Sequence, residues 1–356
     1  MSTIPERLAD LRKKMAENGI DYYIVPTADF HQDEYVGEHF KARVFITGFT
    51  GSAGTAMISM DDARLWTDGR YFIQAGKQLE GTTVQLMKMY EPGYPSLSEF
   101  LEEKLQAGQT IGFDGRVVSM DEGTEYAAVA EKKHCNIKYD VDLIDEIWND
   151  RPPMSDKPAW ELPVKYAGKT AADKIADIRG KMAEAGADVH VETTPDDICW
   201  TLNIRGDDID YFPLLLSYAI ITPEDYHLYV DDAKLSDEIK GHLAELGVTL
   251  HPYNDVYEDV KGISADHIVM LDPHKVNYAL YSNIPAEVAK VNCMSPEECF
   301  KTVKNPVEIE NIKKAELKDS VAHIRFMKWL KENVGKIKIT EISASDKLDE
   351  FRKEMG

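Results

Sequence analysis

The sequence predicts an α/β protein in which one layered unit occurs twice. Arg7–Asp21, RLADLRKKMAENGID, and Lys174–Asp188, KIADIRGKMAEAGAD, share nine of fifteen residues. The hairpin pattern of Ala56–Asp68, AMISMDDARLWTD, returns in Ala219–Asp231, AIITPEDYHLYVD. A repeat at a fixed offset indicates an internal duplication. Each copy is read as helix, strand, helix, hairpin, helix, strand, helix, strand, which is typical of a mixed sheet flanked by helices.

The first copy opens with a helix over Pro5–Asn18. Leu8, Leu11 and Met15 recur at helical spacing, and Gly19 follows as a helix C-cap. A short apolar strand is predicted over Tyr22–Val25, immediately before Pro26.

The most unusual stretch of the first copy runs from Phe45 to Tyr71. It contains glycines at every third position, 48, 51 and 54, before strands predicted over Ala56–Ser59 and Leu65–Thr67. The loop precedes a strand and lacks the lysine of a phosphate-binding loop, whereas such loops lead into a helix. We therefore predict a role in packing or at the edge of a substrate cleft.

Domain boundaries follow from the repeat and from a proline-rich linker. Asn149–Ala159, NDRPPMSDKPA, separates the copies, so we predict domains at 1–150 and 160–301. A third segment, 302–356, is almost entirely helical, with Asn305-Pro306 as a helix start and a polar helix over Ala344–Met355 after Thr340 and Ser343. Because about 55 residues of helix cannot close a core, we expect this segment to be the start of a larger domain.

Composition excludes several classes of function. The net charge is −22 with no basic block, which argues against nucleic acid and anionic membranes as partners. No run of 18 apolar residues predicts a membrane span. The four cysteines lie at 135, 199, 293 and 299 without a CxxC pair, a spacing that suits a reduced cytoplasmic protein.

Three residues of the first copy are candidates for a substrate cleft: His31, Asp68 and Arg70. His31 aligns with Ile198 at the repeat offset, and Arg70 aligns with Ala233, whereas Asp68 has a counterpart in Asp231. A residue that is charged in one copy and apolar in the other is not required by the shared fold. Solvent exposure explains the same difference.

The histidines and carboxylates of Asp29–His39, DFHQDEYVGEH, allow two interpretations. His31, Asp33, Glu34 and His39 could form a metal site, or they could lie on a solvated helix face in an acidic protein. We favour the solvated face. No serine triad, cysteine–histidine pair or HExxH motif is present.

Several motifs together resemble a known family. GFTGSAGTAMIS with LWTDGRYFIQA, WTLNIRGDDI with SYAIIT, and KTVKNPVEIENIKKA with TEISASDKLDEFR are similar to the three-domain Xaa-Pro aminopeptidases of the M24 metallopeptidases. The resemblance covers nearly the whole chain. It implies two tandem creatinase/prolidase N-terminal-like domains, followed by a truncated start of a catalytic pita-bread domain.

The resemblance also implies a function for the intact protein. Such enzymes remove the residue before a penultimate proline, act on short peptides as cytoplasmic homodimers, and use two Mn²⁺ or other divalent ions. Their two Asp, one His and two Glu ligands match no residue here, so we expect this chain to bind neither ion and to be inactive alone. The alternative is a stand-alone, non-catalytic module that binds peptides or protein partners.

Overall fold

The computed structural model describes residues 2–356. They form two compact units. The larger unit comprises the chain up to Glu161 and Ala171–Cys299, and the smaller comprises Leu162–Thr170 and Phe300–Gly356. The division into three domains, 1–150, 160–301 and 302–356, remains a prediction.

The first copy contains five helices and six strands, one strand and one helix more than the sequence pattern predicted. The extra strand, four residues with two polar side chains, lies at a sheet edge and has no apolar alternation. In chain order the elements are α1 (Ile4–Asn18), β1 (Tyr22–Pro26), α2 (Ala42–Thr47), β2 (Thr55–Ser59), β3 (Ala63–Thr67), α3 (Phe72–Gln78), β4 (Gln85–Lys88), α4 (Leu97–Lys104), β5 (Thr110–Phe113), α5 (Met120–Lys132) and β6 (Asn136–Lys138).

The second copy repeats this order and contains additional elements. The elements from Trp160 onward are β7 (Trp160–Glu161), α6 (Val164–Ala167), α7 (Ala171–Glu184), β8 (Val189–Glu192), α8 (Pro195–Leu202), β9 (Ile204–Arg205), β10 (Ser217–Ile221), β11 (Tyr226–Val230), α9 (Asp237–Glu245), β12 (Val248–Pro252), α10 (Val256–Asp259), β13 (Ile268–Leu271), α11 (Tyr278–Asn283), β14 (Ala289–Asn292) and α12 (Pro296–Thr302). The additional elements are β7, α6, β9 and α12, and the connection from β8 to α8 is shorter than that from β1 to α2.

The two sheets have the same topology, which confirms the duplication. Their strand orders are β4-β3-β2-β1-β5-β6 and β12-β11-β10-β8-β13-β14. In each sheet the central strand, β1 or β8, is antiparallel to the neighbouring hairpin strand, β2 or β10. It is parallel to the strand on its other side, β5 or β13. Nearly all residues of β1 and β8 are buried, because a central strand is covered on both faces.

The repeated helix packs its predicted face into the core. Leu8, Leu11 and Met15 on α1 are completely buried. Gly19 ends the helix with φ 66°, the left-handed conformation that glycine adopts without a steric penalty. In the second copy α7 buries Ile178 and Met182 in the same manner.

The smaller unit consists of α6 with the long helices α13 (Pro306–Asn333) and α14 (Glu341–Glu354). Asn305 caps α13, since its side chain accepts hydrogen bonds from two backbone amides of the first turn. Thr340 caps α14. The start of α13 confirms the sequence prediction, whereas α14 begins three residues before the predicted start at Ala344. Large apolar residues of α13 such as Leu317 and Ile324 are exposed in this chain.

No helix among residues 2–356 is long and apolar enough to cross a membrane.

Candidate functional site

The glycine loop after α2 is built around a buried arginine. Arg43 is 2% exposed, and its guanidinium donates to the Thr27 hydroxyl at 2.9 Å and to the carbonyl oxygens of Phe49 and Gly51. Burial lowers the pKa of Arg43 to about 10. Because a planar guanidinium donates in several directions at once, one side chain joins two carbonyls of the loop to Thr27, which follows β1.

Each of the three glycines meets a local packing requirement, as predicted. Gly48 ends α2 with φ 76°. A Cβ on Gly51 would lie 2.2 Å from the Phe49 ring, and a Cβ on Gly54 would lie 2.9 Å from the Trp66 carbonyl oxygen. Larger residues would therefore displace the loop from Arg43 and from strand β3.

The exposed side of this loop borders a cleft of about 520 Å³, which we call the glycine-loop cleft. Four segments line most of it: Glu34–Lys41, Thr50–Ser52, Pro153–Lys157 and Asp208–Tyr211. The proline-rich linker between the copies therefore supplies one wall. Charged groups of both signs lie here, and Lys157 pairs with Asp207 and Asp210 at 3.3 and 3.5 Å.

A smaller hollow of about 270 Å³, the Arg70 hollow, shares Thr27, Glu34 and Ser52 with the cleft. Arg70 and Asp33 also line it. Burial and the neighbouring Asp29 carboxylate raise the pKa of Asp33 to about 9. The hollow therefore combines the Asp33 and Glu34 carboxyls with the Arg70 guanidinium, which are groups suited to binding a peptide terminus or a charged side chain.

Asp68 and Arg70 form a bidentate surface pair. The Arg70 Nε and Nη2 atoms donate to the two Asp68 carboxylate oxygens at 2.9 and 2.8 Å. Arg70, whose side chain is 68% exposed, holds the pKa of Asp68 at about 2 by these hydrogen bonds. The proposed contact with substrate remains a prediction.

The second copy explains why Asp68 has a counterpart and Arg70 does not. Asp68 Oδ1 accepts the backbone amide of Arg70 at 3.0 Å, and Asp231 Oδ1 accepts that of Ala233 at 3.1 Å. The aspartate forms the same turn after the hairpin in both copies. Only the arginine side chain is specific to the first copy.

His31 is not on a solvated helix face, and that interpretation was wrong. The segment 29–37 has no helix, and His31 is completely buried. Its Nδ1 lies 2.7 Å from the Thr193 carbonyl oxygen and its Nε2 lies 2.6 Å from the Tyr253 hydroxyl. His31 therefore joins the first copy to the second, and this buried position leaves no surface for direct contact with a peptide.

The comparison of His31 with Ile198 was also wrong. Helix α2 ends at Gly48 with φ 76° and α8 ends at Asn203 with φ 54°. Aligning these two caps places Ile198 opposite Arg43. The signal for Arg43 was therefore present in the repeat, but the longer loop of the first copy shifted the register.

The suggested metal site in Asp29–His39 is not formed. His39 Nδ1 is 2.8 Å from the Pro152 carbonyl oxygen, and His31 is held at the other copy. Within residues 2–356, the only group of three or more candidate metal ligands is His190, Glu192 and Glu297, in the second copy.

Known protein families and proteins match this architecture. Family models described as the creatinase/prolidase N-terminal domain match residues 7–147 and 150–308. A probable Xaa-Pro aminopeptidase P of Sordaria macrospora is 37% identical over 99% of this chain and 59% of its own length. Aminopeptidase P2 of Arabidopsis thaliana is 35% identical over 98% of this chain and 54% of its own length.

A solved structure is similar over the same share of this chain. The X-prolyl aminopeptidase of Caenorhabditis elegans, described as a cytosolic enzyme with a di-nuclear active site, superposes with a TM-score of 0.93 at 32% identity. The match covers 99% of this chain and 60% of that protein. The chain thus spans between about half and three fifths of the length of these relatives. It belongs to the Xaa-Pro aminopeptidase family and carries the two creatinase/prolidase N-terminal domains of that family.

Proposed function

We propose that this chain is the non-catalytic N-terminal region of an Xaa-Pro aminopeptidase and limits which peptides reach the catalytic region. The intact protein would remove the N-terminal residue before a penultimate proline. The observation that carries this proposal is the match of 99% of the chain to 60% of the Caenorhabditis elegans enzyme. We place the protein in the cytoplasm, the compartment stated for that enzyme.

The residues present do not fit a di-nuclear metal site. Two ions that share an attacking hydroxide need several carboxylates, some of them bridging. The one candidate group among residues 2–356 has three residues and is buried away from solvent. We therefore assign the two metal ions, with Mn²⁺ as the expected metal, to a part of the intact protein outside this chain.

The glycine-loop cleft and the Arg70 hollow are the surfaces that would face a peptide. Arg70 is exposed and pairs only with a neighbour two residues away, so it can exchange Asp68 for a carboxylate of a longer peptide. Short peptides would not extend to it. Arg70 would thus influence which peptide lengths are cleaved and would take no part in breaking the peptide bond.

We also propose that the intact protein is a homodimer. The exposed apolar residues of α13, among them Leu317 and Ile324, support a further packing partner for this unit.

An assay of Xaa-Pro peptide cleavage by the purified 356-residue chain with added Mn²⁺ tests the central claim. We expect no turnover above that of a buffer containing Mn²⁺ alone. Turnover that scales with protein concentration and is abolished by a chelator would overturn the assignment of the chain as non-catalytic.

The second candidate is a stand-alone peptide-binding module, favoured by the size and mixed charge of the glycine-loop cleft. A fluorescent proline-containing peptide distinguishes the two functions. Micromolar binding to this chain, lost with Lys157→Glu, would favour the module, whereas binding only by the longer enzyme favours the N-terminal region.

A further inference from the structure

The second sheet carries a buried polar cluster that the aminopeptidase function does not use. We call it the His190 cluster. It comprises five side chains that are at most 3% exposed: His190, Glu192, Asp197, Ser295 and Glu297.

Three separate elements bring the cluster together. His190 and Glu192 are alternate residues of the central strand β8, so both side chains point to the same face of the sheet. Ser295 and Glu297 lie at the start of α12, and Asp197 lies on α8. Residues separated by about a hundred positions therefore meet inside one domain.

The cluster has fewer hydrogens than its acceptors require. Ser295 Oγ lies 2.7 Å from Glu192 Oε2 and 2.8 Å from Glu297 Oε2, with Asp197 Oδ2 at 3.1 Å. A hydroxyl has a single hydrogen to donate. Ser295 can therefore donate to only one of Glu192 Oε2 and Glu297 Oε2, whereas Glu192 Oε1 accepts the Thr194 amide at 2.6 Å.

The His190 ring lies beside both glutamates. Its Nδ1 lies 3.1 Å from the Met270 carbonyl oxygen, which can only accept, so Nδ1 carries a hydrogen. Its Nε2 faces Glu297 Oε2 at 3.2 Å and Glu192 Oε2 at 3.3 Å. The ring nitrogen and the two carboxylate oxygens therefore surround one point inside the domain.

A second observation points to a missing ligand. Tyr226 is 1% exposed, and its hydroxyl has no hydrogen-bond partner. Tyr226 and His190 lie in register with Ile221 between them, so their side chains share a face of the sheet. Beyond the effect of burial, Glu297 and Glu192 raise the pKa of Tyr226, which places its phenol near the cluster. The Glu297 Oε1 atom is likewise buried without a partner.

We propose that the His190 cluster binds one Zn²⁺ ion through His190 Nε2 and carboxylate oxygens of Glu192 and Glu297. The candidate ligand atoms lie within 4.8 Å of one another. Ligands about 2.0–2.1 Å from a tetrahedral zinc ion are separated by about 3.3 Å. The Nε2–Glu297 and Nε2–Glu192 separations of 3.2 and 3.3 Å match this spacing.

The proposed ion has a structural role. A dication would offset carboxylate charge that is costly to bury, and the hydrogen bond from Nδ1 to the Met270 carbonyl fixes the tautomer that leaves Nε2 free to coordinate. It would also join β8 to the start of α12.

Titration of the chelator-treated wild-type chain with ZnCl₂, followed by calorimetry and by the thermal unfolding temperature, tests the proposal. We expect one high-affinity site and a higher unfolding temperature with Zn²⁺. Glu297→Gln removes a ligand with little change in shape and should weaken this site by at least about tenfold.

His251→Ala is the matched control, because His251 and His227 form a partly exposed pair 3.0 Å apart that could bind Zn²⁺ on its own. The high-affinity site should persist in this variant. Absence of Zn²⁺ uptake by the wild-type chain, loss of uptake in His251→Ala, or unchanged affinity in Glu297→Gln would each overturn the proposal. If Glu297→Gln does not fold, the Zn²⁺ titration of the wild-type chain still tests the proposal.

Discussion

The guanidinium of Arg43 donates a hydrogen bond to the carbonyl oxygen of Gly51, eight residues along the chain. This contact, together with that to the Phe49 carbonyl, sets the path of the glycine loop that borders the cleft. The loop is therefore held by a buried cation. Replacement of Gly51 tests this packing.

Gly51→Ala should lower the free energy of unfolding by roughly 2 kcal/mol, because the new Cβ would lie 2.2 Å from the Phe49 ring and the core must shift. Urea denaturation measures the change. Gly76→Ala is the control, since Gly76 lies inside α3 with no atom within 4 Å of the added Cβ, and alanine should stabilise that helix by roughly 0.5–1 kcal/mol. Equal effects at both positions would contradict the packing role of Gly51.

Arg70→Ala should raise the pKa of Asp68 from about 2 toward the ordinary value for an aspartate, because the bidentate hydrogen bonds are lost. NMR titration of the Asp68 carboxyl measures it. Thermal stability should not change measurably, since the pair lies at the surface. Arg116→Ala is a contrasting control, because Arg116 makes the same bidentate contact to buried Asp114.

Arg70→Ala in the longer enzyme should lower kcat/KM for long Xaa-Pro peptides more than for tripeptides. Only a long peptide would reach the exposed guanidinium to replace Asp68. Steady-state kinetics over a series of peptide lengths measures the effect, with Arg70→Lys as the charge-conserving comparison. A uniform change in kcat/KM over all peptide lengths would contradict a role for Arg70 in contacting long peptides.

His31→Gln should destabilise the chain by roughly 1–3 kcal/mol near neutral pH, since the buried Tyr253 hydroxyl and Thr193 carbonyl contacts are disturbed. Burial lowers the pKa of His31 below its ordinary 6.5, so the folded state binds fewer protons. The stabilising contribution of His31 is therefore present above about pH 6.5 and is lost as the pH falls through the folded-state pKa.

Urea denaturation of wild type and variant above and below this range should show a smaller difference in acid. His267→Gln, at an exposed pair with Asp188, is the control and should show no comparable loss. A pH-independent difference for His31→Gln would mean that the imidazole does not titrate in this range.

Asn305→Ala should speed amide hydrogen exchange at Val307 and Glu308, because the Asn305 side chain accepts from both amides at 2.9 and 3.0 Å. The expected cost is about 1 kcal/mol at the start of α13. Asn305→Asp keeps the accepting oxygens and should retain most of the protection. It loses the donation to the Ala167 carbonyl, so full loss of protection in Asn305→Asp would assign the effect to that contact instead.

Much of the fold followed from local pattern. The helix over Ile4–Asn18, the hairpin strands and the start of α13 at Asn305-Pro306 were predicted within one or two residues, because spacing and capping residues are local signals. Strand β4 was missed because a short, partly polar edge strand has no such signal.

The candidate site was less predictable. Arg70 was correctly singled out as a difference between the copies, but Asp68 proved to serve the backbone turn. His31 was placed in solvent although its ring is buried against Tyr218 and Tyr253. Its partners lie 162 and 222 residues away, a distance that no local pattern records.

The sequence by itself determined that the chain holds a duplicated α/β unit, where its helices begin, and which family it belongs to, because these follow from repeats and from residues close in sequence. Only the tertiary structure decided which polar residues are buried together. Arg43 inside the glycine loop and His190 against Glu297 depend on contacts between separate elements. Whether a charged side chain faces water or a distant partner is set by the packing of those elements, so the same residue types are indistinguishable in the sequence.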